Sequence, residues 1–343
     1  MSACDIVLTV YNQPELTQNC LESLESNFRE GDRLIIIDNG SEDGTRKFLE
    51  AFVSKLPRLS LELVRLFPNQ GFIKAANEGL RRCRNPFACL LSNDTVVTAG
   101  WLEQMMAIAE KEADIGIINP MSTTFGLYPK EGETIDALAK AQEKFSGQYT
   151  ETADCVGFCM LIRKAVMDKI GLLDEVYGQG YFEDSDFSRR ASAAGWRAVI
   201  AKAAYVWHRE HSTFQNVERE EQFKRNREIF WQRWGKPERI LCVLNHTAPQ
   251  RCQNLCLIQA RQGNWVWAVS SVKSDAPWPE LHTHLKFIFH HLPILYAFFI
   301  LLVRRKKRFD AVVFPAGRNR FAAGIFRRIF KVKTEELIYE RQD

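Results

Sequence analysis

The sequence predicts an α/β fold in which a doubly wound, parallel sheet occupies roughly the first 120 residues. Three observations carry that prediction. Short apolar runs alternate with amphipathic helical patterns, these runs lack the polar alternation of a solvent-facing strand, and polar turn residues follow them. Repeated strand–helix units build parallel sheets with right-handed crossovers. Apolar residues make up 46% of the 343-residue chain, which is ample for such a core.

The first strand–helix unit begins close to the N-terminus. Ile6–Val10 is a short apolar run that predicts a strand. Pro14 follows where a helix would begin, at the position where proline is tolerated. Leu16, Cys20 and Leu24 then recur on one helical face.

The same alternation continues to residue 118. Leu34–Ile37 is a β-branched run without alternation, as expected of a strand buried on both faces. The later predicted elements are a helix carrying Phe48, Leu49, Phe52 and Leu56, a strand at Leu61–Leu66, a helix over 73–84, a strand at Ala88–Leu91, a helix at Trp101–Glu112 and a strand at Ile115–Ile118.

Polar side chains follow each of the first four predicted strands. They are Tyr11-Asn12, Asp38-Asn39-Gly40-Ser41, Asn69-Gln70-Gly71 and Ser92-Asn93-Asp94. Each is an ordinary turn by composition. Ligands of doubly wound sheets bind beyond the carboxyl ends of the strands, so four such turns on one rim predict a binding site. The sequence lacks a Gly-x-Gly-x-x-Gly after the first strand and a Gly-Lys-Ser/Thr loop, which disfavours dinucleotide and Walker-type phosphate binding.

An acidic cluster lies farther along the chain. Glu183–Asp186 contains three carboxylates in four positions, shortly after Gly178 and Gly180, and His208 follows about one helix and one strand later. Neighbouring negative charges raise each other's pKa, so such a cluster calls for a cation, a hydrogen-bond network or a catalytic role. The alternative is an acidic first turn of a helix, which the helix dipole favours.

Taken in order, these segments resemble family 2 glycosyltransferases, most closely the bacterial rhamnosyltransferase-like branch. The matching segments are Thr9–Asn12, Asp38–Ser41, Asn69–Phe72 with Asn77 and Gly79, Leu91–Asp94, Asp154–Ile162, Gly171–Glu175, the Glu183-Asp184 pair and Trp207-His208. The resemblance covers about residues 4–215. It implies a GT-A (Rossmann-like) fold and inverting transfer of a sugar from a dTDP-, UDP- or GDP-linked donor. The implied acceptor is a hydroxyl of a growing bacterial surface glycan or of a lipid-linked glycan.

The resemblance also implies roles for individual residues at the donor site. Thr9, Tyr11 and Asp38 would contact the base and ribose. Further donor contacts are implied for Asn12, Asn39, Asn69, Gly71, Asn77, Ser92 and Asn93. Asp94 matches the last Asp of the family's Asp-x-Asp motif and, with His208, would hold Mn²⁺ or Mg²⁺. Carboxylate oxygen suits such hard cations.

Asp184 matches the position of the family's catalytic base, and Glu183 would shape the acceptor contact or tune its neighbour. A base beside the acceptor hydroxyl is what inversion in one displacement needs. Ser92 stands where the first Asp of the motif is usual. A catalytically weakened sugar-nucleotide binding or scaffold module of a larger polysaccharide-synthesis enzyme is therefore the alternative. A nucleotidyltransferase is disfavoured, because no glycine- and arginine-rich phosphate loop occurs near residue 10.

The resemblance implies a GT-A glycosyltransferase domain over residues 1–236, and the charge distribution sets apart a basic C-terminal region, residues 237–343. Residues 238–343 hold 17 Lys and Arg against 8 Asp and Glu, a net charge of +9. Strand-like runs at 239–244, 265–269 and 309–314 favour a partial Rossmann-like (GT-B-like) half domain. Phe287–Val303 is mostly apolar and precedes five basic residues at 304–308. It fits either a buried helix of that half domain or a segment that lies on an anionic membrane surface. The run is short for a membrane span.

The nine cysteines read as small buried hydrophobes in a reducing compartment, without the spacing of a zinc site. Met1-Ser2-Ala3 runs directly into the first strand, so a secretory signal is not expected. The sequence therefore predicts a cytoplasmic protein, either free or peripheral on the inner face of the cytoplasmic membrane. A nucleic-acid partner is not expected.

Overall fold

A computed structural model describes residues 1–42, 44–56, 60–209, 217–245, 249–273, 281–304, 308–315 and 320–337. The chain forms two compact units. The N-terminal unit comprises Met1–Tyr149 and Asp154–Trp234, and the C-terminal unit comprises Thr150–Ala153 and Gly235–Asp343.

The N-terminal unit alternates strands and helices as the sequence predicts. Its strands are β1 (Cys4–Val10), β2 (Arg33–Asn39), β3 (Leu61–Leu66), β4 (Phe87–Ser92), β5 (Thr95–Val97), β6 (Ile115–Met121), β7 (Tyr149–Thr152, which ends in the other unit), β8 (Cys159–Arg163) and β9 (Arg197–His208). Its α-helices are α1 (Pro14–Ser26), α2 (Thr45–Lys55), α3 (Phe72–Arg81), α4 (Trp101–Lys111), α5 (Ile135–Gln142), α6 (Lys164–Ile170), α7 (Glu183–Ala193) and α8 (Val217–Trp234).

The central sheet of this unit is parallel only in its first half. The strand order is β3-β2-β1-β4-β8-β6-β9-β5, in which β3, β2, β1 and β4 are parallel neighbours. The α/β fold is confirmed, but the expectation of a parallel sheet over the first 120 residues is wrong where β4 and β6 are separated. Strand β8 lies between them and is antiparallel to both. Forming it requires a return from far along the chain, which local strand–helix alternation does not reveal.

Both faces of this sheet are covered by helices. Helices α1, α2 and α4 contribute Leu24, Phe52 and Met105 to the core on one face. Helices α3, α6, α7 and α8 cover the other face, with side chains such as Leu80 and Phe187. Every residue of β1 is buried, as its unbroken apolar pattern predicts.

The C-terminal unit has a second, fully parallel sheet with the strand order β12-β11-β10-β13-β14. Its strands are β10 (Arg239–Asn245), β11 (Trp265–Ser270), β12 (Leu285–Phe289), β13 (Ala311–Pro315) and β14 (Lys333–Leu337), and its helices are α9 (Pro249–Arg261), α10 (Pro293–Val303) and α11 (Arg320–Phe330). The C-terminal region is therefore an α/β unit with a parallel sheet. Its likeness to half of a GT-B enzyme stays a prediction.

The apolar run Phe287–Val303 is divided between the end of β12 and helix α10. Ala297 and Ile300 of α10 are buried against the sheet. On the opposite face, Leu295, Phe299 and Leu302 are 62%, 60% and 52% exposed. The buried-helix and membrane-surface alternatives are thus compatible, because each concerns a different face. Among the described residues, no helix is both long and apolar enough to cross a membrane.

Candidate functional site

The polar residues predicted at the donor rim lie at one edge of the N-terminal sheet. Thr9 in β1 lies opposite Ser92 in β4, and its neighbour Val10 lies opposite Asp38 in β2. Thr9 is 7% exposed, whereas Tyr11 is 42% exposed and offers its ring to solvent at this edge. The parallel register therefore brings residues that are far apart in sequence to the same carboxyl edge.

Arg65, which the sequence analysis missed, organises this rim. Its guanidinium forms an ion pair with the buried Asp38 carboxylate and donates to the Ser41 carbonyl oxygen at 3.1 Å. Asp38 also accepts from the Ser41 N–H at 2.9 Å. An arginine inside the short strand β3, whose other residues are mostly aliphatic, was the available signal.

Several amides that the resemblance assigned to the donor hold the loops of the rim together. Asn39 donates from Nδ2 to Asn69 Oδ1 at 2.9 Å and accepts from the Gln70 N–H at 2.9 Å. Asn69 Oδ1 also accepts from the Gly71 N–H at 2.8 Å. The β3–α3 loop is therefore fixed to β2 before any ligand binds.

Similar hydrogen bonds fix the loops that follow β1, β2 and β4. Asn93 donates from Nδ2 to Thr17 Oγ1 at 2.8 Å, which ties the β4–β5 turn to helix α1. Asn12 receives the Glu42 N–H on its side-chain oxygen at 3.1 Å and donates its own N–H to Ser41 Oγ at 2.9 Å. These bonds pre-organise the rim, which lowers the entropic cost of binding.

The predicted donor contact of Asn77 does not fit its position in helix α3. Its side chain is 2% exposed, donates to the Leu173 carbonyl oxygen at 2.9 Å and accepts from the Leu173 N–H at 3.0 Å. Because both polar atoms of the amide are used inside the protein, Asn77 anchors the segment that precedes the acidic cluster. Asparagine in a helix interior often signals such a side-chain-to-backbone clamp.

Asp94 and His208 are brought together by the pairing of β5 with β9, in which Thr95 lies opposite His208. Asp94 Oδ1 lies 3.5 Å from His208 Nε2. The imidazole is oriented by Thr124, whose hydroxyl lies 2.9 Å from Nδ1, and by stacking on Phe158 at 4.8 Å. Asp94 also borders a cavity of about 320 Å³ that includes Arg209.

This pair fits a hard divalent cation as part of a shared site. The oriented Nε2 and the carboxylate are suitable donors. The described residues contain no group of three or more His, Cys, Asp or Glu side chains that could hold a metal. The remaining ligands of an ion between Asp94 and His208 would therefore have to come from a bound phosphate and from water, as is usual for Mg²⁺.

Asp184 lies in the first turn of α7, where two backbone N–H groups hold its carboxylate. Gly157 donates to Oδ2 at 3.1 Å and Ser185 donates to Oδ1 at 2.7 Å. A Cβ built on Gly157 would lie 3.7 Å from Phe72 and 3.8 Å from Asp184 Cβ. The starts of α3 and α7 and the residues preceding β8 therefore meet at this carboxylate.

Glu183 and Asp184 are neighbouring buried carboxylates in unlike surroundings. Burial raises the pKa of Asp184, but the hydrogen bonds from Gly157 and Ser185 oppose that rise. Burial, and secondly the charge of Asp184, raise the pKa of Glu183 to about 8. Within the described residues, Glu183 Oε2 accepts no hydrogen bond. At neutral pH the shared proton therefore resides on Glu183, which leaves Asp184 as the anion.

Another carboxylate, Asp154, lies close enough to this pair to interact with it electrostatically. Burial raises the pKa of Asp154 to about 6, the charge of Arg189 opposes the rise, and the charge of Asp184 adds to it. Arg189 forms an ion pair with Asp154 at 3.0 Å. This buried cation offsets part of the negative charge around Asp184.

The Asp186 side chain has a purely structural role. It is fully buried and accepts hydrogen bonds from Arg190 Nε at 2.8 Å, Arg233 Nη1 at 2.7 Å and Trp234 Nε1 at 2.8 Å. Tyr177 also donates its hydroxyl to Asp186 at 3.2 Å. Asp186, the last carboxylate of the Glu183–Asp186 cluster, thus joins α7 to α8.

The loop before α7 is strained and clamped. Tyr181 and Phe182 have φ values of 71° and 72°, which are unfavourable for residues with a Cβ. Asn226 of α8, which the sequence analysis missed, donates from Nδ2 to the carbonyl oxygens of Tyr177 and Gly180 at 2.7 Å each. Both aromatic rings pack against Phe223. Helix α8 therefore holds the conformation that presents Asp184.

Gly157 and Phe158 connect the two halves of the site. Gly157 donates its N–H to Asp184, and the Phe158 ring stacks on His208. Asn119 of β6 fixes this segment, because it accepts from the Val156 N–H at 2.8 Å and donates to the Val156 carbonyl oxygen at 2.9 Å. Asn119 is fully buried in an otherwise apolar strand, which was the signal that the sequence analysis overlooked.

Comparison with known proteins relates the chain to glycosyltransferases. The family model described as Glycosyl transferase family 2 matches residues 5–171. The chain is 26% identical over 202 residues to Glycosyltransferase AglE of Haloferax volcanii, covering 57% of this chain and 63% of the relative. It is 25% identical over 128 residues to the Amylovoran biosynthesis glycosyltransferase AmsE of Erwinia amylovora, covering 37% and 47% of the two chains. The chain thus spans less than two thirds of these relatives.

A solved structure shares the fold. The structure of GalNAc-T7 with UDP, GalNAc and Mn²⁺ superposes with a TM-score of 0.51 at 14% sequence identity, covering 63% of this chain and 46% of the other. At that identity the likeness establishes the α/β architecture of the GT-A type and nothing finer.

Proposed function

Because the Glycosyl transferase family 2 model matches residues 5–171, we propose that the chain is an inverting, nucleotide-sugar-dependent glycosyltransferase of that family. It moves a hexosyl or deoxyhexosyl group from a nucleotide-diphosphate donor to a hydroxyl of a growing bacterial surface glycan. The single observation that carries the proposal is the Gly157-Phe158 segment. It holds Asp184 through a backbone N–H and His208 through a stacked ring.

The donor half of the site lies at the carboxyl edge of β1, β2 and β4. Thr9, Tyr11 and the Arg65–Asp38 pair face the base and ribose in this proposal, since they form the pre-organised rim. Asp94 and His208 would hold Mn²⁺ or Mg²⁺ against the diphosphate. The ion would neutralise the charge that grows on the departing diphosphate.

The acceptor half is built around Asp184. Its carboxylate accepts the proton of the acceptor hydroxyl as that oxygen attacks the anomeric carbon from the side opposite the diphosphate. The backbone N–H groups of Gly157 and Ser185 keep the carboxylate ionised and aimed. Glu183, protonated at neutral pH by virtue of its burial, adds no second charge that would raise the pKa of the base further.

The surface-glycan acceptor rests on relatives rather than on geometry. AmsE is named for amylovoran biosynthesis, and another relative is named a teichoic acid poly(glycerol phosphate) polymerase. The resemblance to rhamnosyltransferases makes a dTDP-linked deoxyhexose the first donor to try, followed by UDP- and GDP-linked sugars.

A thermal-shift screen of nucleotide sugars with and without Mn²⁺ tests the donor assignment. We expect one donor to raise the melting temperature, and to do so more strongly with the metal. Asp94→Ala should abolish the metal-dependent part of the shift, whereas Ser92→Ala should leave most of it. A wild-type shift that is the same with and without metal would contradict the metal role of Asp94 and His208.

The alternative, a catalytically weakened donor-binding module, is favoured by Ser92 at the first position of the metal motif. It predicts that the donor binds but is neither hydrolysed nor transferred at any metal concentration. Release of nucleoside diphosphate from the best donor, measured with wild type and Asp184→Asn, separates the two functions.

Association with an anionic membrane surface is a second proposal, favoured by helix α10. Its exposed face carries Leu295, Phe299 and Leu302, and the basic run 304–308 follows it directly. An amphipathic apolar face flanked by Lys and Arg is typical of interfacial helices. Residues 305–307 of that run lie outside the described residues.

A further inference from the structure

The C-terminal unit contains a cavity of about 480 Å³ at the amino ends of its strands. Its floor is formed by Arg239 of β10, Trp265 and Trp267 of β11, and Lys286 of β12. Arg239 lies opposite Trp265, and Trp267 lies opposite Lys286, in the parallel registers. Because residues i and i+2 of a strand and their partners in register share one face, these four side chains project to the same side.

The cavity exists because helix α10 stops short of the amino ends of the strands and leaves that part of the sheet face uncovered. Farther along the same face, Leu241 and Val269 are buried beneath α10, which contributes Ala297 and Ile300. The helix stops at Val303, and the next residue, Arg304, lines the cavity. The sheet face therefore changes from aliphatic side chains under the helix to aromatic and cationic side chains beyond its end.

Cations and aromatic rings are closely associated in this cavity. Lys286 Nζ lies 4.3 Å, and Arg304 Cζ 4.0 Å, from the centre of the Trp267 ring. Trp265 stacks on His284 at 4.1 Å and remains 43% exposed. Both cations are thus held beside an indole, while a second indole stays accessible to a ligand.

The charge of the cavity is uncompensated within the described residues. None of the Arg239, Lys286 and Arg304 side chains forms an ion pair there. The adjacent Asp310 carboxylate accepts the backbone N–H of Arg239 at 2.8 Å. Three cations facing one cavity repel each other in the absence of an anion, so a negatively charged ligand would be attracted and would relieve that repulsion.

The placement argues against a nucleotide diphosphate. Helices α9 and α10 both end at this side of the sheet, at Arg261 and Val303, so the cavity faces helix C-termini. A diphosphate is usually cradled by the backbone N–H groups at a helix N-terminus, at the opposite edge of such a sheet. Here positive charge comes only from separated side chains, which suits single charges spread over a larger molecule.

We propose that this cavity binds a negatively charged saccharide. The exposed indole of Trp265 packs against the apolar face of a sugar ring, and Arg239, Lys286 and Arg304 bind its carboxylate or phosphate groups. The volume is within the range of ligand sites and accommodates one or two sugar rings. The inference concerns a binding site and is independent of the transferase activity proposed above.

Titration calorimetry of the full chain with trigalacturonate, at low salt and without donor or divalent cation, tests this site. We expect saturable binding that weakens as salt increases. The neutral trisaccharide maltotriose should bind at least about tenfold more weakly. The Arg239→Gln/Lys286→Gln double variant and Trp265→Leu should each lose about tenfold or more in affinity for trigalacturonate.

Arg328→Gln is the matched control, because Arg328 is an exposed arginine of the same unit that does not line the cavity. It should bind trigalacturonate like the wild type. Far-ultraviolet circular dichroism checks that each variant is folded. Three results would overturn the proposal: no binding by the wild type, equal binding by folded cavity variants, or equally tight binding of inorganic phosphate. A UDP affinity that falls with Trp265→Leu would also overturn it, since the cavity would then be a nucleotide site.

Discussion

Two adjacent carboxylates, Glu183 and Asp184, differ in how readily they hold a proton, because backbone N–H groups donate hydrogen bonds mainly to Asp184. Asp184 receives N–H groups from Gly157 and Ser185, whereas Glu183 is buried with one carboxylate oxygen that accepts no hydrogen bond within the described residues. A proton shared by the pair therefore settles on Glu183. This separates the roles of two residues that the sequence presents as equivalent.

Replacing Asp184 with Asn should leave donor binding intact and lower turnover by about 10²-fold or more, the usual scale for loss of a general base. The amide keeps the size of the side chain but cannot accept the proton of the acceptor. Initial rates of transfer and donor affinity should be measured together. Asp168→Asn, on the exposed surface of α6, is the control. Near-normal transfer to a genuine acceptor by Asp184→Asn would remove Asp184 from the mechanism.

The raised pKa of Glu183 makes a prediction about stability. A carboxyl group that holds its proton more tightly when folded stabilises the protein at low pH. That stability is lost as pH rises from the ordinary value of 4.5 through the folded value of about 8. Glu183→Gln cannot ionise, so its free energy of unfolding relative to wild type should increase between pH 5 and pH 8.5.

Chemical denaturation at the two pH values measures this difference, with the exposed Glu131→Gln as control. The control should show little change between them. If Glu183→Gln instead lost stability relative to wild type as pH rose, Glu183 would be ionised in the folded protein. It could then not be the carboxyl group that stores the proton.

At the scale of elements, the site depends on buried asparagine side chains that hydrogen-bond to the backbone of neighbouring segments. Strand β6 supplies Asn119, which fixes the segment before β8, and helix α8 supplies Asn226, which fixes the loop before α7. Gly71 has a φ of 83°, and a Cβ there would lie 3.3 Å from Gln179, so the β3–α3 loop also touches the acidic loop closely. Three separate segments therefore converge on Asp184.

Asn119→Leu should disturb both halves of the site at once. The half-buried Val156 N–H and carbonyl oxygen would lose their partner, which should cost roughly 1–3 kcal/mol of unfolding free energy. Because the same segment carries Gly157 and Phe158, kcat should fall and metal-dependent donor binding should weaken together. Asn27→Leu, at a half-buried asparagine that follows α1 and also bonds to the backbone, is the control. An unchanged metal dependence would show that the segment does not couple the two halves.

The sequence predicted elements better than it predicted contacts. The strands β1 to β4 and the helices between them follow from local apolar periodicity, and the rim residues follow from their position after strands. The antiparallel insertion of β8, and the clamps made by Arg65, Asn119 and Asn226, depend on partners far away in sequence. Asn226 and Tyr177 are 49 residues apart. Asn77 was assigned to the donor because its motif position does not reveal that Leu173 uses its amide.

At the scale of the molecule, the chain carries two α/β units with opposite charge. Residues 238–343 have 17 Lys and Arg against 8 Asp and Glu, a net charge of +9, whereas the whole chain carries only +4. The basic unit also exposes the apolar face of α10. An apolar face combined with positive charge is what an anionic bilayer binds, and no described helix is suited to crossing one.

The protein should therefore float with vesicles that contain anionic lipid and be released by salt. Each Lys or Arg near a charged surface contributes roughly 1 kcal/mol, which salt screens. Replacing Arg305, Lys306, Lys307 and Arg308 with Gln should abolish flotation and leave transfer to a soluble acceptor unchanged. Arg304 is kept because it lines the cavity of the C-terminal unit.

The matched control replaces four exposed lysines of the N-terminal unit, Lys47, Lys55, Lys111 and Lys140, with Gln. A second arm, Leu295→Ser/Phe299→Ser, removes the apolar contact while keeping the charge, and should weaken flotation even at low salt. If the wild type fails to float at low salt, or if the control variant loses flotation equally, the basic run and the exposed face of α10 do not form a membrane-binding surface.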